Sequence, residues 1–404
     1  MRSLSKTLPT LAASLLVGSG VLATASEAPA VEVETAAPAA AETIFTFKGR
    51  GWGHGVGMSQ WGARGRALAG WSAPRILRHY YRNTRISRGP NGAVRVLIGT
   101  SRKRLIVEGT TAWQVIDEGR APRRAWRLRK DRRYTLEKSG SKIVLRGDGR
   151  LVARMGGAVR LQPRAASGYL RIHGAPLEGG SRYRGAIRLH RRPSGMEVVN
   201  QISLEKYLLG VVPREVPNRW GRDAPAAVEA QAIAARTYAL ATRKSRGTYD
   251  LYADTRSQVY GGVDAESVET TRAVNRTRRR IVTFRGRPIT AFFFSTSGGR
   301  TENNENVFVG PALPYLRSVP DRFDRVSPLH RWSDLPVFTG KELAKRLSLP
   351  SPVTQMKVTK RGRSPRVLTA VAITGSGRTT FTGRDLRAKL ELDDTWFTPV
   401  RSRR

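Results

Sequence analysis

Glu215 lies in a segment whose residue types suit acid–base chemistry. The segment, residues 211–217, reads Val-Val-Pro-Arg-Glu-Val-Pro. Each proline fixes its own φ and restricts the residue before it to extended backbone, so the pattern predicts a stiff, non-helical loop around the carboxylate. A rigidly held carboxyl group can exchange a proton with a bound substrate. The alternative is that Glu215 is an ordinary solvated acid.

A helix is predicted directly after this loop, from Ala226 to Thr242. Asp223 can cap it and Pro225 suits its first turn. The helix is small or apolar on nearly every side, which predicts that it is buried. Two of its polar residues, Gln231 and Arg236, then need partners. For Arg236 the partner is either an anionic ligand or a structural carboxylate.

Alternate positions from Gly49 to Gly57 are glycine. In an extended chain one face of this segment would carry no side chains, which permits close approach of another backbone or of a ligand. The other face would present Trp52 for stacking and His54 for hydrogen bonding. The five histidines show no ligand spacing and the chain has no cysteine, so no metal site is predicted.

Two further segments mix hydroxyl, amide and aromatic groups. Residues 292–303 run from three phenylalanines into a polar stretch that contains Ser297 and Glu302, and residues 250–262 form a polar and aromatic loop around Gln258. Such mixtures occur in ligand grooves. They also occur in ordinary turns with capping residues, so both interpretations stay open.

The chain carries a large positive charge. Its 404 residues contain 72 Lys and Arg against 31 Asp and Glu, a formal net charge of +41. A field of this sign attracts polyanions. For an exported protein the expected partners are anionic cell-wall polymers or a membrane surface, and no nucleic acid is expected. The alternative is that much of the arginine forms a solvated face.

The sequence predicts an N-terminal export signal followed by an α+β region. Arg2, Lys6, an apolar run and the Ala23-Thr24-Ala25 site predict a secretory signal, cleaved or kept as an anchor, which implies a location in the wall or outside the membrane. Short alternating strands followed by helices predict mixed, largely antiparallel sheets. The predicted divisions are a signal peptide (1–25), a flexible Ala/Pro/Glu linker (26–43), a Gly-rich segment (44–90), a β-rich part (91–200), a core (201–335) and a C-terminal lobe (336–404).

Four shorter helices are also predicted. One runs from about Gln60 to Leu68 and is ended by Gly70, and Ser72 opens the next. Near the C-terminus, Thr339 and Thr382 each precede an acid by three residues, which is typical of a helix start.

Together these segments resemble the stage II sporulation protein D (SpoIID/LytB) family of peptidoglycan lytic transglycosylases. The resemblance covers most of residues 45–400 and rests on five motifs. They are Gly-Trp-Gly-His-Gly-Val-Gly-Met-Ser-Gln-Trp-Gly-Ala (51–63) with Ile-Leu-Arg-His-Tyr-Tyr (76–81), Leu-Glu-Lys-Tyr-Leu-Leu-Gly-Val-Val-Pro-Arg-Glu (204–215), Ala-Gln-Ala-Ile-Ala-Ala-Arg-Thr-Tyr (230–238), Ser-Gln-Val-Tyr-Gly (257–261) and Ser-Thr-Ser-Gly-Gly-Arg-Thr-Glu-Asn (295–303).

The resemblance implies a SpoIID-like fold and cleavage of the MurNAc–GlcNAc bond in glycan strands stripped of stem peptides. Glu215 matches the family's essential acid and would act alone, first as acid and then as base, to close a 1,6-anhydro ring. Residues implied to contact the glycan are Arg236, Gln231, Ser59, Gln60, His54, Gln258, Ser297 and Glu302. No cofactor is implied.

Two features depart from the family pattern. The Gly-His-Gly-Val-Gly-Met-Ser-Gln segment lies near the C-terminal end in the family, whereas here it comes first, in residues 44–90. Such a permutation requires that the two ends lie close in the fold. Some relatives bind zinc through Cys and His near the Gln258 loop, and this loop has neither, so no metal is carried over.

Two other functions stay open. The family includes proteins described as amidase enhancers, so the chain could bind the wall and stimulate a cell-wall amidase, an N-acetylmuramoyl-L-alanine amidase, without cutting sugar. The second alternative is a protein that binds polyanions through its charge alone.

Overall fold

The fold is α+β, as predicted, and is built around two large antiparallel sheets. The computed structural model describes residues 42–101, 104–119, 121–173, 177 and 180–403. The predicted signal peptide and residues 26–41 of the predicted linker lie outside the described residues. The first strand already begins at Thr43, the last residue of that predicted linker.

The described residues form the following elements. The helices are α1 (Gln60–Leu68), α2 (Ala73–Tyr80), α3 (Leu204–Glu215), α4 (Trp220–Asp223), α5 (Pro225–Thr242), α6 (Val268–Arg276), α7 (Gly340–Leu347) and α8 (Gly383–Lys389). The strands are β1 (Thr43–Gly49), β2 (Met58–Ser59), β3 (Arg85–Arg88), β4 (Ala93–Ser101), β5 (Arg104–Gly109), β6 (Trp113–Asp117), β7 (Ala125–Leu128), β8 (Tyr134–Ser139), β9 (Lys142–Gly147), β10 (Arg150–Met155), β11 (Ala158–Pro163), β12 (Tyr169–His173), β13 (Arg182–Arg184), β14 (Ala186–Arg192), β15 (Gly195–Ser203), β16 (Leu251–Tyr252), β17 (Arg280–Phe284), β18 (Arg287–Pro288), β19 (Phe293–Phe294), β20 (Val337–Thr339), β21 (Val353–Arg361), β22 (Val367–Thr374), β23 (Gly377–Thr382) and β24 (Phe397–Arg403).

The region predicted to be rich in strands forms the two large sheets. The first has the order β16-β4-β15-β14-β11-β6-β7 and is antiparallel except for the β16–β4 pair. The second has the order β10-β9-β8-β5-β12-β13 and is antiparallel throughout. Alternating apolar residues of both sheets meet in one core, and β15 leads directly into α3.

Helix α5 is the buried helix that the sequence predicts, although it begins differently. Its N-cap is Ala224, while Asp223 ends α4. One side of α5, with Val228 and Ala232, packs in the core of the large sheets. Another side, with Ala230, packs in a second core with α1, α2 and the small sheet β18-β17-β3. Because α5 is covered on several sides, its small residues are a packing requirement.

A C-terminal lobe has a third core and includes both ends of the described chain. Its sheets are β20-β1-β24 and β21-β22-β23, with α7 and α8 against them. Strand β1 pairs with β24 along its whole length, from Thr43 opposite Arg403 to Gly49 opposite Phe397. The closeness of the two ends that a permuted order requires is therefore present.

Among the described residues, no helix has both the length and the apolar character needed to cross a bilayer.

Candidate active site

Glu215 is the last residue of a helix, so the predicted non-helical loop is wrong. Helix α3 continues through Pro213, and Val212, the residue before that proline, is helical. Only Val216, which precedes Pro217, is extended, with φ −134° and ψ 148°.

Tertiary packing explains why α3 does not end earlier. Val211 and Val212 are completely buried in the core of the large sheets, and Val216 is nearly so. Their burial offsets the local preference of a residue before proline for extended backbone. The carboxylate is still held stiffly, because the helix end is fixed on its apolar side and the next residue is restricted by Pro217.

Burial changes the acidity of Glu215. Desolvation raises the pKa of its carboxyl group from 4.5 to about 7, and a hydrogen bond from the Gln60 side chain opposes part of that rise. The hydroxyl groups of Tyr207 and Tyr238 lie close enough that negative charge on Glu215 raises their pKa values, in addition to the larger effect of burial. A carboxyl group that is still protonated near neutral pH can act as a general acid.

Gln60 reaches Glu215 because α1 is anchored at its first turn. Ser59 caps α1, accepting a hydrogen bond from Gly62 at 3.0 Å and donating one to the buried Asp324 at 2.8 Å. The Trp61 ring lies edge-on to Trp220 of α4, with 5.0 Å between centroids. The Gly-rich segment therefore contributes Gln60 directly to the site, whereas Ser59 positions the helix.

Gln258 is connected to the site through Tyr207. Its side-chain oxygen accepts a hydrogen bond from the Tyr207 hydroxyl at 3.4 Å, and it is only 2% exposed. Because Tyr207 is also buried, Gln258 supports the tyrosine and does not itself present a surface to a large ligand.

Gln231 lies on the same side of α5 as Tyr238, since seven residues make two helical turns. Its side chain is 1% exposed, and neither amide atom has a hydrogen-bond partner among the described residues. A buried polar group without a partner is costly, so Gln231 is the one residue of the predicted set whose surroundings leave its amide unsatisfied at both atoms.

Of the two partners predicted for Arg236, the structure shows the structural carboxylate. The Arg236 guanidinium donates to both carboxylate oxygens of Glu205, at 3.0 and 2.8 Å, and to the carbonyl oxygens of Arg280 and Val274. The side chain is fully buried, and it is turned away from Gln231 because five residues correspond to about 140° around a helix. The structure does not bring Arg236 to Glu215.

His54 lies among the rings of Phe292, Phe294 and Phe308. Its Nε2 donates to the carbonyl oxygen of Phe293 at 3.0 Å, and its Nδ1 accepts from the Val56 amide at 3.1 Å. Burial lowers the pKa of His54 to about 4, so the imidazole is neutral. Among the described residues, no group of three or more His, Asp or Glu side chains is arranged to hold a metal ion.

The glycine segment is not an extended strand with a bare face. Gly51, Gly53, Gly55 and Gly57 all have positive φ, between 79° and 120°. A Cβ added at Gly57 would lie 2.0 Å from the carbonyl oxygen of Phe292. Other parts of the protein, and not a ligand, make the expected close approach to these glycines. The alternation of glycine with other residues is explained by the left-handed backbone at every second position.

Ser297 and Glu302 are buried connectors. Ser297 donates its amide to Asp324 at 2.9 Å and gives its carbonyl oxygen to Arg366. Glu302 accepts hydrogen bonds from Ser364 and from the Arg363 amide, which tie the C-terminal lobe to the core. Of the residues predicted to contact the glycan, all of which the structure describes, Gln60 is the one with a hydrogen bond to Glu215.

Three functional neighbours were not predicted as site residues. Tyr207 precedes Glu215 by eight residues, about two turns of α3, and a helical reading of 204–215 would have placed both on one face. Tyr238 could have been identified from the sequence, because it is the aromatic residue two helical turns after Gln231. Glu205 had no signal in the sequence that marked it as the partner of Arg236.

Part of the chain matches a known family model. Residues 192–284, which contain α3 and α5, match the SpoIID family model, described as stage II sporulation protein. The segment with the alternating glycines lies outside this match.

Two relatives are stage II sporulation protein D. The one from Bacillus subtilis (strain 168) is 34% identical over 218 residues, which is 49% of this chain and 61% of the relative. The one from Bacillus amyloliquefaciens is 38% identical over 221 residues, 49% of this chain and 60% of the relative. The chain thus spans about 60% of the length of these two proteins.

A third relative has a different name. It is an amidase enhancer of Bacillus subtilis (strain 168), 37% identical over 117 residues, 29% of this chain and 15% of the relative. No solved structure matches the chain.

Proposed function

Since residues 192–284 match the SpoIID family model, we propose that the chain is an exported peptidoglycan lytic transglycosylase with Glu215 as its only acid and base. The proposed substrate is a glycan strand without stem peptides, cut at the MurNAc–GlcNAc bond on the outer side of the membrane or in the wall. The observation that carries the proposal is the half-buried Glu215 carboxyl group, whose pKa burial raises to about 7.

The reaction needs one proton carrier. Protonated Glu215 gives its proton to the glycosidic oxygen as the bond from that oxygen to C1 of MurNAc breaks. The carboxylate then takes the proton of the C6 hydroxyl, whose oxygen bonds to C1 and closes the 1,6-anhydro ring. Glu215 ends protonated, as it began, and no water is consumed. Most glycoside hydrolases need two carboxylates, but these two proton transfers need only one.

The surroundings of Glu215 agree with both halves of this cycle. Burial favours the protonated acid, and the Gln60 hydrogen bond favours the carboxylate, so neither form is too stable to react. The charge of Arg236 is already balanced by Glu205, so it does not force Glu215 to ionise.

The test is product analysis by mass spectrometry after digestion of peptide-free glycan. Wild type should release fragments with 1,6-anhydroMurNAc ends, and Glu215→Gln should reduce the rate by at least about a hundredfold, since general acid–base catalysis contributes factors of 10² to 10⁴. The matched control is Glu391→Gln, an exposed acid on the C-terminal lobe, which should cut at the wild-type rate. Equal rates for Glu215→Gln and wild type would exclude Glu215 as the catalyst.

A second candidate function is the stimulation of a cell-wall amidase, which the relative named amidase enhancer favours. In that case wild type should bind glycan without creating anhydro or reducing ends. A purified amidase should then release stem peptides faster in its presence, and Glu215→Gln should stimulate equally well.

A further inference from the structure

Two neighbouring recesses, separate from Glu215, share one arginine and one tryptophan. One has a volume of about 350 Å³ and the other of about 400 Å³, and Arg50 and Trp396 line both. Together they run from the C-terminal lobe to the loops on either side of Pro320. The cations around them are Lys48, Arg50, Arg300, Arg322, Arg325 and Arg331.

The positive charge of this surface is not taken up in ion pairs. Among the described residues, none of those six cations forms an ion pair. Three carboxylates next to the lining residues are buried and bonded elsewhere. Asp321 is paired with Arg66. Asp324 accepts hydrogen bonds from Ser59, Ser297, Gly298 and His330. Asp394 is paired with Arg366.

Neutral groups orient several of these arginines. Arg50 lies over the Trp396 ring at 5.7 Å, Arg322 lies over the Phe323 ring at 5.2 Å, and Arg300 donates to the Ser318 hydroxyl at 3.2 Å. Their side chains are therefore partly ordered before any anion arrives, which reduces the entropy lost on binding. Like charges are also held together: burial, and the nearby charge of Arg331, lower the pKa of Arg50.

From this geometry we infer that the two recesses form one binding groove for a linear polymer with repeating phosphodiester groups joined by non-aromatic polyol units. Guanidinium groups bind phosphate oxygens in pairs of parallel hydrogen bonds. Several such groups along a groove suit a chain with phosphates at regular intervals. Binding here would hold the protein on an anionic wall polymer, a role beyond cleavage at Glu215.

A membrane fits this surface less well. Of the large hydrophobic residues that are exposed in the described part of the chain, none lines either recess. Peripheral binding to a bilayer uses an apolar face together with the basic one. Recesses are also concave, whereas a bilayer presents a broad surface.

Single-stranded nucleic acid also fits poorly, because its binding needs aromatic rings on which bases can stack. Two guanidinium groups, those of Arg50 and Arg366, already lie against the Trp396 ring. Trp332 is 7% exposed, and its Nε1 donates to the carbonyl oxygen of Gly51. The aromatic residues of the groove are thus used to hold arginines and the glycine segment.

The experiment measures binding of the full chain to poly(glycerol phosphate) over a range of salt concentrations. The triple variant Arg50→Gln/Arg300→Gln/Arg325→Gln should bind at least about tenfold more weakly, and its slope of log affinity against log salt should fall by roughly 2 to 3, because each lost phosphate contact releases about one counterion fewer. Arg322→Gln/Arg325→Gln, which changes only exposed side chains, should show a smaller loss in the same direction without a change in folding.

The matched control removes the same charge elsewhere. Arg104→Gln/Arg127→Gln/Arg150→Gln changes three exposed arginines on strands of the large sheets and should weaken binding by less than about threefold, since distant exposed charges are screened. Equal losses of affinity in the triple variant and the control would overturn the groove. They would mean that the polymer is bound by the overall positive charge of the protein. Binding to oligo-dT of the same phosphate number that is as tight, or binding only to phosphatidylglycerol vesicles, would overturn the polymer as its ligand.

Two cross-checks separate this inference from the proposed reaction. The triple variant should still cleave phosphate-free glycan at the wild-type rate. Glu215→Gln should still bind poly(glycerol phosphate) with wild-type affinity. Polymer binding can therefore be measured even if the protein does not cleave glycan, and glycan cleavage can be measured even if the groove does not bind the polymer.

Discussion

At Glu215, acidity depends on burial and on one amide hydrogen bond. Burial and Gln60 act in opposite directions on the same pKa, and burial is the larger effect. This differs from a carboxylate beside an arginine, whose pKa would fall. The proton on Glu215 near neutral pH is thus a consequence of its burial.

Replacing Gln60 should raise the pKa of Glu215 further. In Gln60→Met the hydrogen bond that stabilises the carboxylate is lost while the volume is kept, so the pKa should rise above about 7, by roughly 0.5 to 1 unit. A carboxyl group with a higher pKa stays protonated to higher pH. The alkaline fall of activity, which in wild type should lie near pH 7, should move upward.

The measurement is an NMR titration of the Glu215 carboxyl carbon, with the rate–pH profile beside it. Gln355→Met, on β21 of the C-terminal lobe, is the control and should leave both unchanged. A pKa that falls or stays constant in Gln60→Met would show that Gln60 does not stabilise the carboxylate.

Among the elements, α5 connects two cores, and its Arg236 forms a buried pair with Glu205 of α3. The Arg236 side chain is 1% exposed and that of Glu205 12%. Glu205 also accepts the Arg279 amide at 3.0 Å, so it joins α3 to the turn before β17. This pair ties together the helices that hold Glu215.

Breaking the pair should therefore cost stability and leave substrate affinity unchanged. Arg236→Met leaves a buried carboxylate without its partner, and the free energy of unfolding should fall by about 3–5 kcal/mol. The double variant Arg236→Met/Glu205→Met should recover part of that loss. Urea unfolding measures the first effect, and KM at a temperature where Arg236→Met is folded measures the second. A raised KM with unchanged stability would mean that Arg236 binds the glycan.

Two separable constraints can require glycine at a position of this protein: a positive φ, and a lack of space for a Cβ atom. Gly57 and Gly70 have similar φ values, 81° and 76°. A Cβ at Gly57 would meet the Phe292 carbonyl oxygen, whereas none of the atoms around Gly70 lies within 4 Å of a Cβ there.

Gly70→Ala should cost about 1–2 kcal/mol of stability, the price of left-handed backbone for a residue with a Cβ. Gly57→Ala should cost clearly more, because the backbone at β2 and β19 must also shift. Thermal unfolding of the two variants compares them directly. Equal losses would mean that only φ, and not close approach to Phe292, requires glycine at position 57.

Sequence alone predicts the elements whose signals are local. Helix α1 has the predicted bounds, Ser72 precedes α2, and Thr339 and Thr382 cap α7 and α8. The prediction of a non-helical loop at residues 211–217 was wrong because long-range burial of Val212 overrides the local effect of Pro213. The pairing of Arg236 with Glu205, and the contact of Gln60 with Glu215, depend on helix packing that no single segment encodes.

In the whole molecule, the C-terminal lobe joins the two ends of the described chain. Phe45 and Phe47 of β1 are buried with Phe397 of β24 in its core. The next residues after β1 form the glycine segment, which leads to α1 and Gln60. The lobe therefore anchors the N-terminal end of the segment that brings Gln60 to Glu215.

A disulfide between the ends tests this arrangement. Thr46 and Val400 are direct partners in the β1–β24 register. The natural chain has no cysteine, so in Thr46→Cys/Val400→Cys only one bridge can form within a molecule. Closing so long a loop should stabilise the protein by about 2–4 kcal/mol, chiefly by restricting the unfolded chain.

Unfolding with and without reductant measures the gain, and mass spectrometry detects the bridge. In the control, Thr46→Cys/Val152→Cys, the second cysteine is on β10 of the six-stranded sheet, which belongs to another core, so no intramolecular bridge should form in the native protein. The register matters because a slip by one residue would turn Phe45 and Phe47 out of the core. If the Thr46/Val400 pair stays reduced under oxidising conditions, the two ends are not paired in this register, and the structural basis for a permuted order is lost.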